Sequence, residues 1–264
     1  MLSVTKRACL LALPALAGAA MGLRPAGARA DLKSVRAAGT MVIATTGTRT
    51  PWTYVDQNNR LVGYDIAWGE VICADLGVKP EWKKLDFRGM LPGLLARQFD
   101  AVMSGVTITE QRRQTFGLSE PYAYDETVAV VRAENTRVQQ MADLKGLVVA
   151  AATGSEQEAV AKRIEGVKEL RSLPGFTDLI LTLRTNRADG VVTSGSAAAH
   201  YIRTNPDSGL RIAGAGVSPA YQAVVLRKAE TDLEEAISAS IRARKADGTY
   251  ARLFQEHFGT SPTR

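Results

Sequence analysis

Residues 100–113, DAVMSGVTITEQRR, contain the groups in this sequence that are best suited to binding an anion. The first four are typical of a buried parallel strand, and a small-residue turn follows them. A helix is predicted from Thr109, so backbone N–H groups, two hydroxyls and a helix N-terminus come together. The planar guanidinium of Arg112 matches a carboxylate. The alternative is a packing turn whose arginine is solvated, but four kinds of donor at one turn favour an anion site.

The other reactive side chains do not form a catalytic or metal-binding pattern. His200 and His257 are far apart and lack the spacing of zinc ligands. Cys73 lies within an apolar helical stripe, which is typical of a buried small hydrophobe rather than a nucleophile. Neither Ser155 nor Ser194 has an adjacent histidine to act as a base. We therefore expect no metal, no cofactor and no catalytic residues.

The first thirty residues have the three-part pattern of a cleavable secretion signal. Lys6 and Arg7 precede the almost wholly apolar residues 8–23, and residues 28–30 (ARA) fit a small-x-small cleavage site. The apolar run is short and interrupted by proline, which argues against a membrane span. We expect the mature protein to begin at Asp31, to be periplasmic and to have no stable membrane insertion.

Removing the signal segment lowers the net charge of the chain. The whole chain has a net charge of +6 and a pI near 9.4, and residues 1–30 contribute four positive charges and no negative ones. The mature net charge is therefore +2. The sequence has no basic cluster interleaved with aromatic residues, so we expect no nucleic-acid partner. One cysteine remains after removal of the signal, which excludes an intrachain disulfide.

Strands and helices alternate along the mature chain, which predicts a parallel sheet with right-handed crossovers. The first βαβαβ unit is predicted from strands at 40–45, 81–85 and from residue 100, with helices after an N-cap at Asp65 and over 89–98. The second is predicted from strands at 147–152, 169–173 and 190–193, with helices over 156–164 and 178–187. The segments DAVMSG and DGVVTSG end the two units as near copies, which indicates two similar lobes.

Two extended runs, residues 127–132 and 220–227, flank the second unit. If both are strands that cross between lobes, the second unit is inserted into the first, and the two turn edges face each other across a hinged cleft. This organisation assigns residues 31–127 and 222–264 to lobe 1 and residues 128–221 to lobe 2, with the hinge strands at the borders. Such a geometry suits the capture of a small molecule by closure.

The mature chain resembles the extracytoplasmic solute-binding proteins of polar amino-acid ABC transporters, the glutamine/histidine group of family 3. The resemblance covers residues 31–259 and depends on the order and spacing of 62–66 (VGYDI), 86–89 (DFRG), 100–112, 116–122 (FGLSEPY) and 246–250 (ADGTY). It implies an α/β fold of two Rossmann-like lobes joined by two hinge strands, the type II periplasmic binding-protein architecture. It also implies an amino acid or related small carboxylate as ligand, a permease partner in the inner membrane, and a monomer.

The resemblance further implies where the ligand's backbone groups are held. Arg112 matches the arginine that clamps the α-carboxylate. Gly105 and Thr107 match positions whose backbone and hydroxyl hold the carboxylate and amine, and Ser104 lies beside them in the same turn. These four residues form the lobe 1 side of the expected site.

Aromatic residues and the second lobe complete the implied site. Phe87 and Trp52 match aromatic positions near the ligand side chain, although Trp52 fits an ordinary core position equally well. Ser155 and Glu156 match the lobe 2 turn that offers N–H groups to the carboxylate. For Glu156 the expected contact is its backbone, since the family usually has a small residue there.

Three positions depart from the family pattern, and together they change the expected charge of the cleft. Ser194 stands where the family has an aspartate that pairs with the ligand's ammonium, and Thr46 replaces a first-strand acid. Arg49 stands where an aromatic residue usually stacks. Micromolar capture needs about 8 kcal/mol, and losing one partner of a desolvated charge pair costs roughly 2–5 kcal/mol. An ordinary amino acid would therefore bind far more weakly without a compensating group.

Two explanations of this charge change stay open. Either Glu156, Glu158 or Asp125 supplies the missing negative charge, or the ligand carries an extra carboxylate or lacks the ammonium. Arg49 presents a related choice, because it either enters the cleft or points to solvent, where Asp56 is a candidate partner.

These features predict a binding protein without enzymatic activity, which captures its ligand by cleft closure and delivers it to a permease. The alternative is an exported dehydratase of the cyclohexadienyl or arogenate type, which shares the architecture. That chemistry needs a positioned general acid, for which Glu156 and Glu158 are the nearby candidates. A sensory input domain is a weaker third class, because the chain ends soon after Phe258.

Overall fold

The computed structural model of the protein describes residues 31–259, so the predicted signal segment lies outside the described residues. The strands, β1 to β12, are Thr40–Thr45, Thr48–Arg49, Thr53–Val55, Leu61–Val62, Lys79–Lys84, Ala101–Thr107, Phe116–Leu118, Ala123–Arg132, Val148–Ala152, Glu169–Leu173, Gly190–Ser194 and Leu210–Arg227. The helices, α1 to α9, are Leu32–Ala38, Tyr64–Leu76, Phe87–Leu95, Glu110–Thr115, Glu156–Lys162, Phe176–Arg184, Gly195–Thr204, Thr231–Ala246 and Thr249–Phe258. None of these helices has the length and apolar character needed to cross a membrane.

A nine-stranded sheet organises the described chain in the order β10-β9-β11-β8-β12-β6-β1-β5, with β7 paired to β12. At one end β5, β1 and β6 are parallel, and at the other end β10, β9 and β11 are parallel. We call these groups the first and second halves of the sheet. Parallel strands joined by helices place their carboxyl ends, and the loops that follow, at one edge. The alternation of strands and helices confirms the predicted α/β fold class.

Strands β8 and β12 connect the two halves. Each is longer than the extended runs predicted at 127–132 and 220–227, because the two strands pair antiparallel with each other. Strand β12 also pairs with β6, where Gln222 lies opposite Thr107, and β8 pairs with β11 of the second half. Both predicted hinge runs are therefore strands between the halves, while the lobe boundaries themselves stay a prediction.

The start of α2 differs from the sequence prediction. Asp65 is not its N-cap, because Gly63 holds that position with a φ of 124°. The amides of Tyr64 and Asp65 donate to the carbonyls of Pro51 and Trp52 at 2.9 and 2.8 Å, so these helix-end donors need no capping side chain. A Cβ at position 63 would lie 2.5 Å from the Trp52 carbonyl oxygen, an overlap that glycine avoids. Asp65 is instead fully buried in the first turn of the helix.

Other predicted helices end earlier than expected because non-glycine residues take left-handed backbone angles. Helix α3 ends before Arg97, whose φ is 59°, and the Gln98 amide donates to the Gly93 carbonyl at 3.0 Å. Helix α6 ends in the same way before Asn186, whose φ is 58°. Glycine usually marks such a helix end, so an arginine or asparagine at this position indicates the end of the helix less clearly.

Large aromatic side chains fill much of the core beside β1, β6 and α2. Trp52, Tyr64, Trp68 and Tyr122 have no exposed surface, and the Tyr64 ring lies 5.6 Å from Trp52 and 6.1 Å from Tyr122. Edge-to-face and stacked pairs of this kind stabilise a core beyond simple burial. Cys73 belongs to the same cluster, and burial raises the pKa of its thiol to about 12. The prediction that this cysteine is a buried hydrophobe is confirmed.

Candidate functional site

A cavity lies between the two halves of the sheet, next to the carboxyl ends of β6 and β11. The space between its walls is about 560 Å³, a volume that includes solvent at the open side. Nine of the ten residues predicted to bind ligand line it, namely Arg49, Phe87, Ser104, Gly105, Thr107, Arg112, Ser155, Glu156 and Ser194. The tenth, Trp52, is outside the lining. The structure therefore brings together residues from both predicted lobes.

The end of β6 forms one wall, and most of its polar groups are bonded within the protein. The Gly105 amide donates to the Tyr122 hydroxyl at 3.3 Å, so this N–H is directed at the core. The Ser104 hydroxyl accepts from the Thr46 amide at 3.3 Å and donates to the Thr46 hydroxyl at 3.2 Å. Thr107 lines the cavity, and its hydroxyl has no partner among the described residues. The wall thus offers a ligand mainly side-chain donors, rather than the free backbone amides that the sequence indicated.

Arg112 spans the cavity from one wall to the other. The short helix α4 begins next to its predicted start, and Thr109 caps it, since its hydroxyl accepts from the Arg112 amide at 3.2 Å. The guanidinium donates from Nη1 to the Thr107 carbonyl at 2.7 Å and from Nη2 to the Gly154 carbonyl, across the cavity, at 3.3 Å. Its carbon lies 5.9 Å from the centre of the Phe87 ring. Burial lowers the pKa of Arg112, an effect that the negative charge of Glu156 opposes.

Arg49 enters the same cavity, so it neither points to solvent nor pairs with Asp56. Its Nη2 donates to the Ser104 carbonyl at 2.9 Å, and its guanidinium carbon lies 5.1 Å from the centre of the Trp52 ring. Asp56 instead pairs with Arg60 at 2.9 Å. The absence of a side chain at Gly105 makes room for Arg49, because a Cβ there would lie 1.7 Å from Nη2. A second positive charge is therefore built into the cavity wall.

Trp52 supports the cavity from behind instead of lining it. Its side chain has no exposed surface and packs against Tyr64 and Phe258 at 5.6 and 5.0 Å between ring centres. Its indole N–H donates to the Ser196 hydroxyl at 2.8 Å, which links the two halves of the sheet. The expectation of an aromatic contact with the ligand side chain thus fits Phe87, which lines the cavity, better than Trp52.

The opposite wall begins at the N-terminus of α5. Ser155 caps this helix, with its hydroxyl accepting from the Glu158 amide at 3.1 Å. The Glu156 carboxylate lines the cavity and pairs with Arg163 at 3.3 Å. Glu158 lies outside the lining and is held by the Gly154 amide, at 2.9 Å, and by Ser172. Burial raises the pKa of Glu158, but these hydrogen bonds and Lys162 outweigh it and leave the pKa below its ordinary value.

Ser194 lies in front of a buried carboxylate, that of Asp125. The Ser194 hydroxyl donates to one oxygen of Asp125, and the amides of Ser196 and Glu126 donate to the other at 2.9 and 2.8 Å. Burial raises the pKa of Asp125, although the three hydrogen bonds oppose the rise. The sequence named Asp125 as a candidate negative charge but could not place it. In the structure it lies behind the cavity wall.

Asp65 is a second buried carboxylate near the cavity, although its sequence position indicated only a helix cap. The Tyr122 hydroxyl donates to one of its oxygens at 2.7 Å, and the other oxygen is buried without a partner among the described residues. Burial raises the pKa of Asp65 to about 7, against the influence of Arg49 and of the Tyr122 hydrogen bond. An acidic residue in the first turn of a helix usually indicates an exposed position, which is why this role was missed.

The ionisable residues of the lining are Arg49, Arg112 and Glu156, so its formal charge is positive. Within residues 31–259 neither arginine has a carboxylate oxygen within 4.0 Å. The same part of the chain contains no group of three histidine, cysteine, aspartate or glutamate side chains placed to hold a metal ion. The arrangement is suited to holding an organic anion by hydrogen bonds and charge.

Comparisons with known proteins agree with this geometry. Residues 41–260 match the family described as bacterial extracellular solute-binding proteins, family 3. The L-cystine-binding protein TcyJ of Escherichia coli is 28% identical over 235 residues, which cover 88% of each chain. The ABC transporter arginine-binding protein 1 of the same species is 28% identical over 216 residues, 80% of this chain and 87% of that one. The solved structure of an ancestral arginine-binding protein bound to arginine matches with a TM-score of 0.81 at 33% identity, covering 84% of this chain and 99% of that one.

Proposed function

The chain belongs to the bacterial extracellular solute-binding proteins, family 3, and from that premise we propose that it captures a small carboxylate in the cavity and delivers it to an ABC permease. The position of Arg112 carries the proposal. Its guanidinium reaches carbonyls on both walls, and among the described residues it has no ion-pair partner. A ligand carboxylate would supply the missing negative charge where water is partly excluded, which strengthens the interaction. Relatives that bind amino acids in ABC transport support an amino acid or related acid as ligand.

Capture would proceed by closure of two lobes about β8 and β12. Besides the Arg112 contact with Gly154, the Thr177 hydroxyl donates to the Thr48 carbonyl at 3.2 Å across the cavity mouth. Two connecting strands restrict relative motion to a hinge, and contacts of this kind form only when the halves approach. The lobe division at residues 31–127 with 222–264, and 128–221, is part of this proposal.

Export and partners follow the same reasoning. The family is extracytoplasmic, and the charged, apolar and small-residue pattern of residues 1–30 supports export through a cleavable signal to the periplasm. The mature protein would act as a monomer that meets its permease at the inner membrane. Mass spectrometry of protein purified from the periplasm would test the cleavage, with an N-terminus at Asp31 as the expected result.

The absence of enzymatic activity is also part of the proposal. Glu156 is the sole carboxylate of the lining, and it is held in an ion pair with Arg163 rather than left free to act as the general acid that a dehydratase needs. Glu158, the other candidate acid, is outside the lining and has a lowered pKa. Incubation of the purified protein with prephenate or arogenate should give no aromatic product. Turnover of either compound would overturn the assignment as a binding protein.

A thermal-shift screen of amino acids, dicarboxylates and keto acids, followed by calorimetry of the hits, tests the proposed function. A selective ligand stabilises the native state by mass action, so at least one acid should raise the melting temperature. Arg112→Gln should weaken binding of every hit by about 30-fold or more, since a charge pair at a half-buried site is lost. Arg113→Gln, at the exposed next position of α4, is the matched control and should retain the wild-type affinity. Equal affinity of the two variants would contradict the role of Arg112.

A further inference from the structure

The lining of the cavity carries more positive than negative charge. Three ionisable groups line it, and Glu156 is already paired with Arg163 at 3.3 Å. Arg49 and Arg112 remain without a carboxylate within 4.0 Å among residues 31–259, although both are half-buried. A half-buried guanidinium without a counter-ion is poorly solvated, so each of the two would gain from a bound anion.

Arg49 is held in a fixed position rather than lying loosely in the cavity. It stacks on the Trp52 ring at 5.1 Å and donates to the Ser104 carbonyl at 2.9 Å. Gly105 has a φ of 54° and leaves the space that the guanidinium fills. An arginine held in this way is preorganised, so it loses little conformational entropy when a ligand binds.

The same arrangement offers an ammonium group hydroxyl oxygens, such as that of Thr107, but no unpaired carboxylate. The Ser104 carbonyl already accepts from Arg49, and the Ser194 hydroxyl donates its hydrogen to Asp125. Asp125 and Asp65 both feel the charge of Arg49, but both are buried behind the lining and bonded there. An ammonium in the cavity would therefore meet two guanidiniums and no unpaired carboxylate, and like charges at close range are strongly unfavourable.

Resting on the proposed function, we propose that the ligand is a small dicarboxylate that lacks an ammonium group, with one carboxylate on Arg112 and the other on Arg49. The side chains of Phe87, Phe176 and Leu179 line the cavity as well and would cover the carbon chain between the two acid groups. A cationic amino acid such as arginine is disfavoured, because its side chain or its ammonium would approach Arg49. The ligands of the relatives therefore do not transfer to this chain.

Calorimetry with matched ligands tests the inference on the full mature protein. The dicarboxylates from malonate to adipate, with 2-oxoglutarate, are compared with monocarboxylates of equal length and with L-glutamate, L-arginine and L-cystine. The best dicarboxylate should bind at least about 30-fold more tightly than its monocarboxylate and than each of the three amino acids. An amino acid that binds more tightly than every dicarboxylate would overturn the inference.

Variants at position 49 separate the second anion site from the first. Arg49→Gln should weaken binding of the best dicarboxylate by about 30-fold or more and change the matched monocarboxylate by less than about 3-fold. Arg60→Gln, an exposed arginine outside the cavity, is the matched control and should leave both affinities unchanged. Arg49→Lys retains the charge but loses the planar fork, so its dicarboxylate affinity should lie between wild type and Arg49→Gln. Equal loss for both ligand classes, or none, would contradict the assignment.

Failure of this inference is distinguishable from failure of the proposed function. If amino acids bind and need Arg112 but not Arg49, the dicarboxylate inference is wrong while the binding function stands. If no carboxylate binds the wild-type protein, or if Arg112→Gln has no effect, both are wrong. Thermal unfolding of each variant without ligand shows whether a lost affinity reflects a lost fold.

Discussion

The hydroxyl of Ser194 donates a hydrogen bond to the carboxylate of Asp125, a residue 69 positions earlier in the chain. Ser194 also caps α7, since its oxygen accepts from the Ala197 amide at 3.2 Å. The serine therefore does not simply replace an acid in the cavity. It covers one that is buried, so the ligand meets a hydroxyl while the negative charge stays behind the wall. This relationship changes what an acidic substitution at position 194 would do.

We expect Ser194→Asp to destabilise the fold rather than to improve binding of amino acids. The new carboxylate would replace the hydroxyl that donates to Asp125, and two buried carboxylates in contact repel each other. The free energy of unfolding in urea should fall by about 2 kcal/mol or more at pH 7.5. The loss should be smaller near pH 5, because burial raises the pKa of Asp125 and one proton can then be shared.

Thr109→Asp is the control for this substitution. Thr109 also caps a helix with its hydroxyl, but it is only half-buried and has no carboxylate among its hydrogen-bond partners. Because aspartate is a good N-cap, this variant should change the free energy of unfolding by no more than about 0.5 kcal/mol. A similar loss in both variants would show that capping, and not the contact with Asp125, determines the effect at position 194.

The buried carboxyl of Asp65 should make stability fall as pH rises from about 4 to 8. Its pKa is raised to about 7 in the folded protein from 3.8 in the unfolded chain, so the folded state binds the extra proton. The stability that this proton contributes is complete below pH 3.8 and is lost as pH rises through 7. Asp65→Asn should remove this dependence. At pH 8 it should unfold at a higher urea concentration than wild type, with a free energy of unfolding that is greater by up to about 4 kcal/mol. The two proteins should converge near pH 4.

Asp56 should give stability the opposite dependence on pH, so it serves as a comparison. Its pKa is lowered by the backbone hydrogen bond of Arg60 and by the Arg60 side chain, which together outweigh the opposing effect of burial. Its stabilising effect is therefore present at neutral pH and is lost as pH falls below the ordinary range of the carboxyl. Asp56→Asn should be slightly less stable than wild type at pH 7 and equal to it in strong acid. If Asp65→Asn follows the same trend, the raised pKa of Asp65 is wrong.

The sequence predicted the parts of this protein that depend on local pattern. Apolar runs such as residues 101–103 and the alternation of strands with helices indicated the fold class. The donors around Arg112 indicated the cavity wall. Asp65 could not be placed, because its burial depends on Tyr122, 57 residues away, as that of Asp125 depends on Ser194. The direction of the Arg49 side chain could not be predicted either, because it depends on the space that the folded turn leaves at Gly105.

The fit between Arg49 and Gly105 predicts that Gly105→Ala is more harmful than an ordinary substitution of a left-handed glycine. The new Cβ would lie 1.7 Å from Nη2 of Arg49, so the guanidinium must move. Gly39→Ala is the matched control, because Gly39 has a similar φ of 67° and no atom within 4 Å of the added Cβ. Gly39→Ala should cost about 1 kcal/mol of stability. Gly105→Ala should cost more, and the excess should shrink in an Arg49→Ala background if the clash with Arg49 is its cause.

The hydrogen bond from Trp52 to Ser196 should stabilise the closed state more than the fold. The indole N–H is fully buried here, but it would be solvated when the halves separate, so Ser196→Ala leaves it unpaired only on closure. Ligand affinity should fall by about 5- to 30-fold, while the free energy of unfolding without ligand changes little. Ser208→Ala removes a hydroxyl that has no partner among the described residues and should leave affinity unchanged. Small-angle scattering should show wild type contracting with saturating ligand. An unchanged scattering profile, or an equal loss of stability and affinity in Ser196→Ala, would mean that the free protein is already closed.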